Sequence, residues 1–145
     1  MNNVVIATLA IVLGLGAWAA RDSDQRGAST ATTEPDRAAT PIQITRVNYD
    51  PWIAIKNFGQ RTRHLSGWTL RDTSGHVFHF PRFRLRPDTT VTVHTGDGRP
   101  TRHDLYWGME NHAWNSAGDR VSLRNRDGRL IDRCSWGDGD GVKNC

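Results

Sequence analysis

The stretch Leu65–Pro81, "LSGWTLRDTSGHVFHFP", decides the fold. Trp68 and Leu70 alternate with polar neighbours, the turn-forming "DTSG" follows, and Phe78 and Phe80 resume the alternation. Successive side chains of a strand point to opposite faces. The pattern therefore predicts two short strands in a hairpin, with Trp68, Leu70, Phe78 and Phe80 filling one face. Gly67 permits a turn or a close approach where a side chain would clash. Ser74-Gly75 supplies the hairpin turn, and Pro81 ends the second strand because it has no N–H for a central ladder.

The same period of two continues outward from this hairpin. "IQITRVN" (Ile42–Asn48) puts Ile42, Ile44 and Arg46 on one side. "WIAIKNFG" (Trp52–Gly59) puts Ile53 and Ile55 on one side, with Trp52 opposite. "TVTVHTG" (Thr90–Gly96) turns Val91 and Val93 inward. "RVSLRNRDGRLIDRCSW" (Arg120–Trp136) gives Val121 and Leu123, a turn at "NRDG", then Leu130 or Ile131 and Cys134. Asp-Gly and Ser-Gly punctuate these runs as hairpin signals do. Short strands at this spacing predict an all-β fold, an antiparallel β-sandwich. Trp52, Trp68, Trp107, Trp114 and Trp136 fall in this part and suit a thin core, where each indole removes a large apolar area from water. An aromatic platform for sugar or base stacking is the functional alternative, with Tyr106 and Trp107, next to Gly108, expected to be partly exposed.

The chain has 145 residues, and its beginning differs in kind from the rest. "VVIATLAIVLGLGAWAA" (Val4–Ala20) is apolar and uncharged, short for a spanning helix. The "AWA" at Ala17–Ala19 fits a signal-peptide cleavage site. Residues 1–20 thus read as a signal peptide or an uncleaved membrane anchor, with a buried helix as the third alternative. The first two send the remainder out of the cytoplasm. Residues 21–41, rich in Ser, Thr, Ala, Asp and Arg, cannot bury enough surface to offset their ordering entropy and read as a flexible linker. The folded domain is expected at 42–145. Its two cysteines, Cys134 and Cys145, are expected to form one disulfide pinning the C-terminal tail in an oxidising compartment.

The residues "PWIAIKNFG", "LSGWTLRDTSGHVFHFP", "LYWG" and "WNSAGDRVSLRNRDGRLIDRCSW" together resemble the lamin-tail domain in its bacterial, secreted form. The similarity runs from about Val47 to Trp136. Its most specific parts are "LSGWTLRD" (Leu65–Asp72) and the spacing from Trp114 to Asp132. The resemblance implies an immunoglobulin-like β-sandwich and a non-enzymatic module used for binding or tethering. Ala54 stands where the family usually has an acidic residue before "IxN", so no acidic contact from that strand is implied.

Charge is the remaining signal. The chain has 17 Arg against 2 Lys and a net charge of +4. After Pro41 there are 16 basic and 11 acidic residues, so the expected domain carries +5. "RFRLR" places Arg82, Arg84 and Arg86 on one face of an extended segment, with Phe83 and Leu85 inward. Arg61, Arg63, Arg124, Arg126 and Arg129 are expected in turns. Such a face suits an anionic polymer, nucleic acid or cell wall, through bidentate contacts and counterion release. A solvated surface whose arginines guard strand edges is the competing reading. The six histidines have no ligand spacing that requires a metal. "GDGDG" (Gly137–Gly141) opens like a calcium loop but lacks a closing carboxylate. No cofactor, no metal and no catalytic set is therefore expected.

The sequence leads to a non-catalytic exported binding or tethering module, with a protein or an anionic polymer as partner. Contact with a membrane is expected only through the N-terminal segment. A small secreted hydrolase using His103 and Asp104 is the alternative.

Overall fold

A computed structural model describes residues 40–48, 52–110, 114–115, 117–138 and 141–145. The apolar Val4–Ala20 segment and the linker up to residue 39 lie outside the described residues, as does part of "GDGDG". The described chain is all-β, without helix. Its strands are β1 (Ile42–Asn48), β2 (Trp52–Asn57), β3 (Arg63–His64), β4 (Thr69–Arg71), β5 (Val77–His79), β6 (Arg84–Leu85), β7 (Thr90–His94), β8 (Asp104–Tyr106), β9 (Asp119–Arg124), β10 (Leu130–Trp136) and β11 (Val142–Asn144).

Two open sheets enclose one core. The first runs β11-β1-β2-β7-β8, the second β10-β9-β4-β5, and β3 pairs with β6 in a separate ribbon. Ile42, Ile44, Val47, Ile53, Ile55, Val91, Val93 and Leu105 come from the first sheet, and Leu70, Phe78, Val121, Leu123, Cys134 and Trp136 from the second. Leu65, Phe80, Phe83, Leu85 and Trp114 reach the same core from the connections and the ribbon. Each such side chain contributes about 1.5–3 kcal/mol on full burial, which is what makes the alternation decisive.

The opening stretch folds as its pattern requires. Leu70 sits opposite Phe78 in the β4–β5 pair. Leu70, Phe78 and Phe80 are buried, and Trp68 packs half-buried beside them. Gly67 has φ +77°, a conformation side chains rarely adopt, and its N–H donates to the Phe80 carbonyl at 3.1 Å. The turn is held by Asp72, whose buried carboxylate accepts from the His76 backbone N–H at 2.7 Å and pairs with His76 Nδ1 at 2.5 Å.

Three readings from the sequence are corrected. Arg46 does not follow Ile42 and Ile44 inward. The register shifts between Ile44 and Arg46, so Val47 takes the inward place and Arg46 is exposed. A bulge of this kind inserts one residue and reverses the alternation after it. A second shift between Leu130 and Asp132 leaves Leu130 and Ile131 both half-buried and sends Asp132 fully inside. The sandwich is also not wholly antiparallel, because β8 runs parallel to β7. The connection from Thr95 to His103 carries the chain back to the start of the sheet. It does so with Gly98 against the Tyr106 ring, where an added Cβ would lie 2.1 Å from a ring carbon.

At the C-terminus, Cys134 is bonded to Cys145 with a Cα–Cα distance of 5.7 Å. The Cys145 N–H donates to the Thr45 carbonyl at 2.9 Å, and β11 completes the edge of the first sheet against β1.

Candidate anion-binding groove

The β3–β6 ribbon is short, and one buried side chain anchors both of its ends to β2. Asn57, fully buried at the end of β2, donates from Nδ2 to the carbonyls of Arg61 at 2.9 Å and Leu85 at 3.0 Å. Its Oδ1 accepts from the Gly59 N–H at 2.9 Å. Its backbone N–H donates to Thr89, and its carbonyl accepts from Asp88. A buried amide satisfied on this many sides fixes both the turn before β3 and the chain leaving β6.

With the ribbon fixed, the alternation of "RFRLR" acts on the surface. Phe83 and Leu85 are buried, while Arg82, Arg84 and Arg86 are exposed. The regular strand covers only Arg84–Leu85, yet the inward and outward assignment holds across all five residues. Phe83 is tied on both sides, its N–H donating to Ser66 Oγ at 3.2 Å and its carbonyl accepting from Leu65 at 3.0 Å.

Two adjoining depressions open along this row. One, of about 460 Å³, is lined by Thr62, His64, Arg84, Arg86, Thr89, Arg102 and His103. The other, of about 570 Å³, is lined by His64, Ser66, Arg82, Phe83, Arg84 and Arg126. His64 and Arg84 line both, so the two depressions adjoin at this pair and are taken together as a groove. Five arginines and two histidines line it, and none of these lining residues is a carboxylate. Arg126 Nε lies 3.8 Å from Asp127, both largely exposed.

Arg82, Arg84 and Arg86 were expected together, but Arg102, Arg126, His64 and His103 were not expected to join them. His64 comes from β3, Arg102 and His103 from the β7–β8 connection and Arg126 from the β9–β10 turn, and no local spacing announces that. Arg63 and Arg124 lie in strands rather than turns, and Arg124 Nη1 donates to the Gly128 carbonyl at 2.9 Å within the β9–β10 hairpin.

His103 and Asp104 do not act on each other through a hydrogen bond. His103 Nδ1 lies 3.4 Å from the Thr90 carbonyl and its ring lines the groove. The Asp104 carboxylate instead contacts His94 Nε2 at 3.0 Å and accepts from Thr101 Oγ1 at 3.0 Å. The hydrogen bond to His94 is the main cause holding the Asp104 carboxyl below its usual range; burial opposes it, and Thr101 and the charges on His94 and His103 assist. His94 is stacked on Tyr106 with ring centroids 4.8 Å apart. Trp107 is half-buried, as is Tyr106, with its ring packed against Phe78 and Trp114. Among the described residues no group of three or more His, Cys, Asp or Glu is placed to hold a metal.

The motif from Trp114 to Asp132 is explained by buried carboxylates. Asp119 accepts from the backbone N–H groups of Thr73, Asn115 and Arg120 and from the Thr73 hydroxyl, joining the β4–β5 turn to the start of β9. Trp136 Nε1 donates to the Asn115 carbonyl at 2.9 Å. Asp132 reaches across the core to the other sheet, where its Oδ2 accepts from the Ile44 N–H at 2.8 Å.

No curated protein matches the chain. The family model of the Lamin Tail Domain matches residues 35–138, which covers β1 to β10 and the whole groove but not β11. With its immunoglobulin-like pair of open sheets, the chain belongs to the lamin-tail-domain family.

Proposed function

We propose that this domain is a non-catalytic binding module that holds an anionic polymer along the Arg82–Arg84–Arg86 groove. The observation that carries the reading is the composition of the groove wall: five guanidinium groups and two imidazoles, without a carboxylate among the lining residues. Guanidinium forks match phosphate and carboxylate bidentately and are weakly hydrated, so they exchange water for an anion readily. A row of them along a groove binds a chain of charges better than a single ion, because each contact releases condensed counterions. The reading includes export of the domain by the apolar Val4–Ala20 segment, which would place the groove where cell-wall polymer or extracellular nucleic acid is met.

Titration of the full chain with oligothymidylate, inorganic polyphosphate and a neutral polysaccharide tests this. Binding of the two phosphate polymers but not the neutral one, without turnover of any, is expected. Equal affinity for the neutral polymer, or turnover of a substrate that His103→Ala abolishes, would overturn it.

A further inference from the structure

We propose that binding of an anionic chain in this groove is coupled to proton uptake by His64 and His103, so that the domain grips a polyanion more tightly in mildly acidic than in neutral surroundings. This rests on the groove being the binding site. Histidine is the side chain whose charge ordinarily changes between pH 5 and 8. Here two of them stand in the wall of the same groove, and His64 lines both of its halves.

The charged residues that line the groove with the two histidines are all arginines. His64 pairs across the ribbon with Arg84 and shares its depression with Arg82 and Arg126; Arg63 precedes it. Arg86 and Arg102 complete the other half around His103. Two acids stand beside them: Asp104, next to His103 in the chain, whose carboxylate is engaged by His94 and Thr101, and Asp127, whose carboxylate lies 3.8 Å from Arg126 Nε. An opposite charge close by stabilises an ionised group, so an anion in the groove favours the charged form of both imidazoles. An anionic chain supplies that charge to both histidines at once. By reciprocity, a ligand that favours protonation is itself bound more tightly when protons are abundant. Outside the groove, His76 and His94 are held by Asp72 and Asp104, and His79 projects from β5 in the other sheet.

The test measures affinity of the full chain for a short oligothymidylate, whose phosphodiesters and bases keep their charge between about pH 7.5 and pH 5.5. Affinity should rise about tenfold over that range, the change that one unit of differential proton affinity produces. The log–log salt slope should steepen by about 0.7 for each histidine that becomes charged. The His64→Gln/His103→Gln variant should lose the rise between about pH 7.5 and pH 5.5, whereas His79→Gln should keep it. Binding that is equal at both pH values, or a rise that persists in the double variant, overturns the coupling while leaving the groove as the site. Absence of binding at either pH overturns both.

Discussion

The side-chain amide of Asn57 donates to the Leu85 carbonyl at 3.0 Å, and this one bond ties the core strand β2 to the segment that displays the arginines. Asn57 is fully buried and has no exposed part of its own. Its role is to hold the floor of the groove in place, with Leu85 inward and Arg84 and Arg86 outward on either side.

Replacing Asn57 with Ala should therefore cost about 2–3 kcal/mol, because the Leu85 carbonyl and the Gly59 N–H lose a partner. Denaturant unfolding of the variant gives this number directly. A cost below about 0.5 kcal/mol would mean that the ribbon is held by its apolar contacts alone.

Asp132 performs the matching task between the sheets, its carboxylate accepting from the Ile44 N–H at 2.8 Å beside the β1 bulge. Asp132→Ala should destabilise by about 2–3 kcal/mol, since a buried N–H then loses its acceptor. Asp132→Asn retains an acceptor oxygen and should cost less. Equal losses in the two variants, measured by thermal or denaturant melts, would contradict the assigned role.

Reduction of the Cys134–Cys145 bond should lower stability by roughly 3 kcal/mol through the freed loop, and Tm by roughly 10 °C or more. The loss should also release β11 from β1, which is read by hydrogen exchange at Val47, whose register partner is Lys143. Protection at Val47 that survives reduction would show that β11 stays docked without the bond.

The Asp104–His94 pair gives a pH dependence with a definite sign. A carboxyl held below its usual range in the fold adds stability above its unfolded value, and that stability is lost as pH falls through the folded value. Asp104→Asn should thus be less stable than the parent near neutral pH, and the gap should close as pH drops below about 4. The side chain is 38% exposed, so the gap is small. A gap that widens in acid would contradict the pairing.

The fold was legible in the sequence wherever the alternation was uninterrupted. Ile53 and Ile55, Val91 and Val93, Leu70 and Phe78 all sit where a period of two puts them. It was not legible at Arg46 or at Leu130–Asp132, because a bulge inserts a residue without leaving a mark in the pattern. Part of the groove was legible for the same reason: Arg82, Arg84 and Arg86 share a strand-like segment. Arg102, Arg126 and His103 reach it from loops distant in sequence and His64 from the paired strand β3, and only the folded chain brings them there. The buried acids Asp119 and Asp132 stood inside the recognised motif, but their partners, Thr73 and Ile44, lie in other parts of the chain.

The salt dependence of polyanion binding is the measurement that bears most directly on the groove. For the full chain and oligothymidylate, log affinity should fall linearly with log salt, by about 0.7 for each phosphate neutralised. Replacing Arg82, Arg84 and Arg86 together with Ala should flatten the slope by about 2. Replacing Arg61 and Arg63, which are not among the lining residues, should change it little. A slope that is unchanged in the triple variant, or binding insensitive to salt in the parent chain, would leave these arginines as solvated surface and remove the groove as the site.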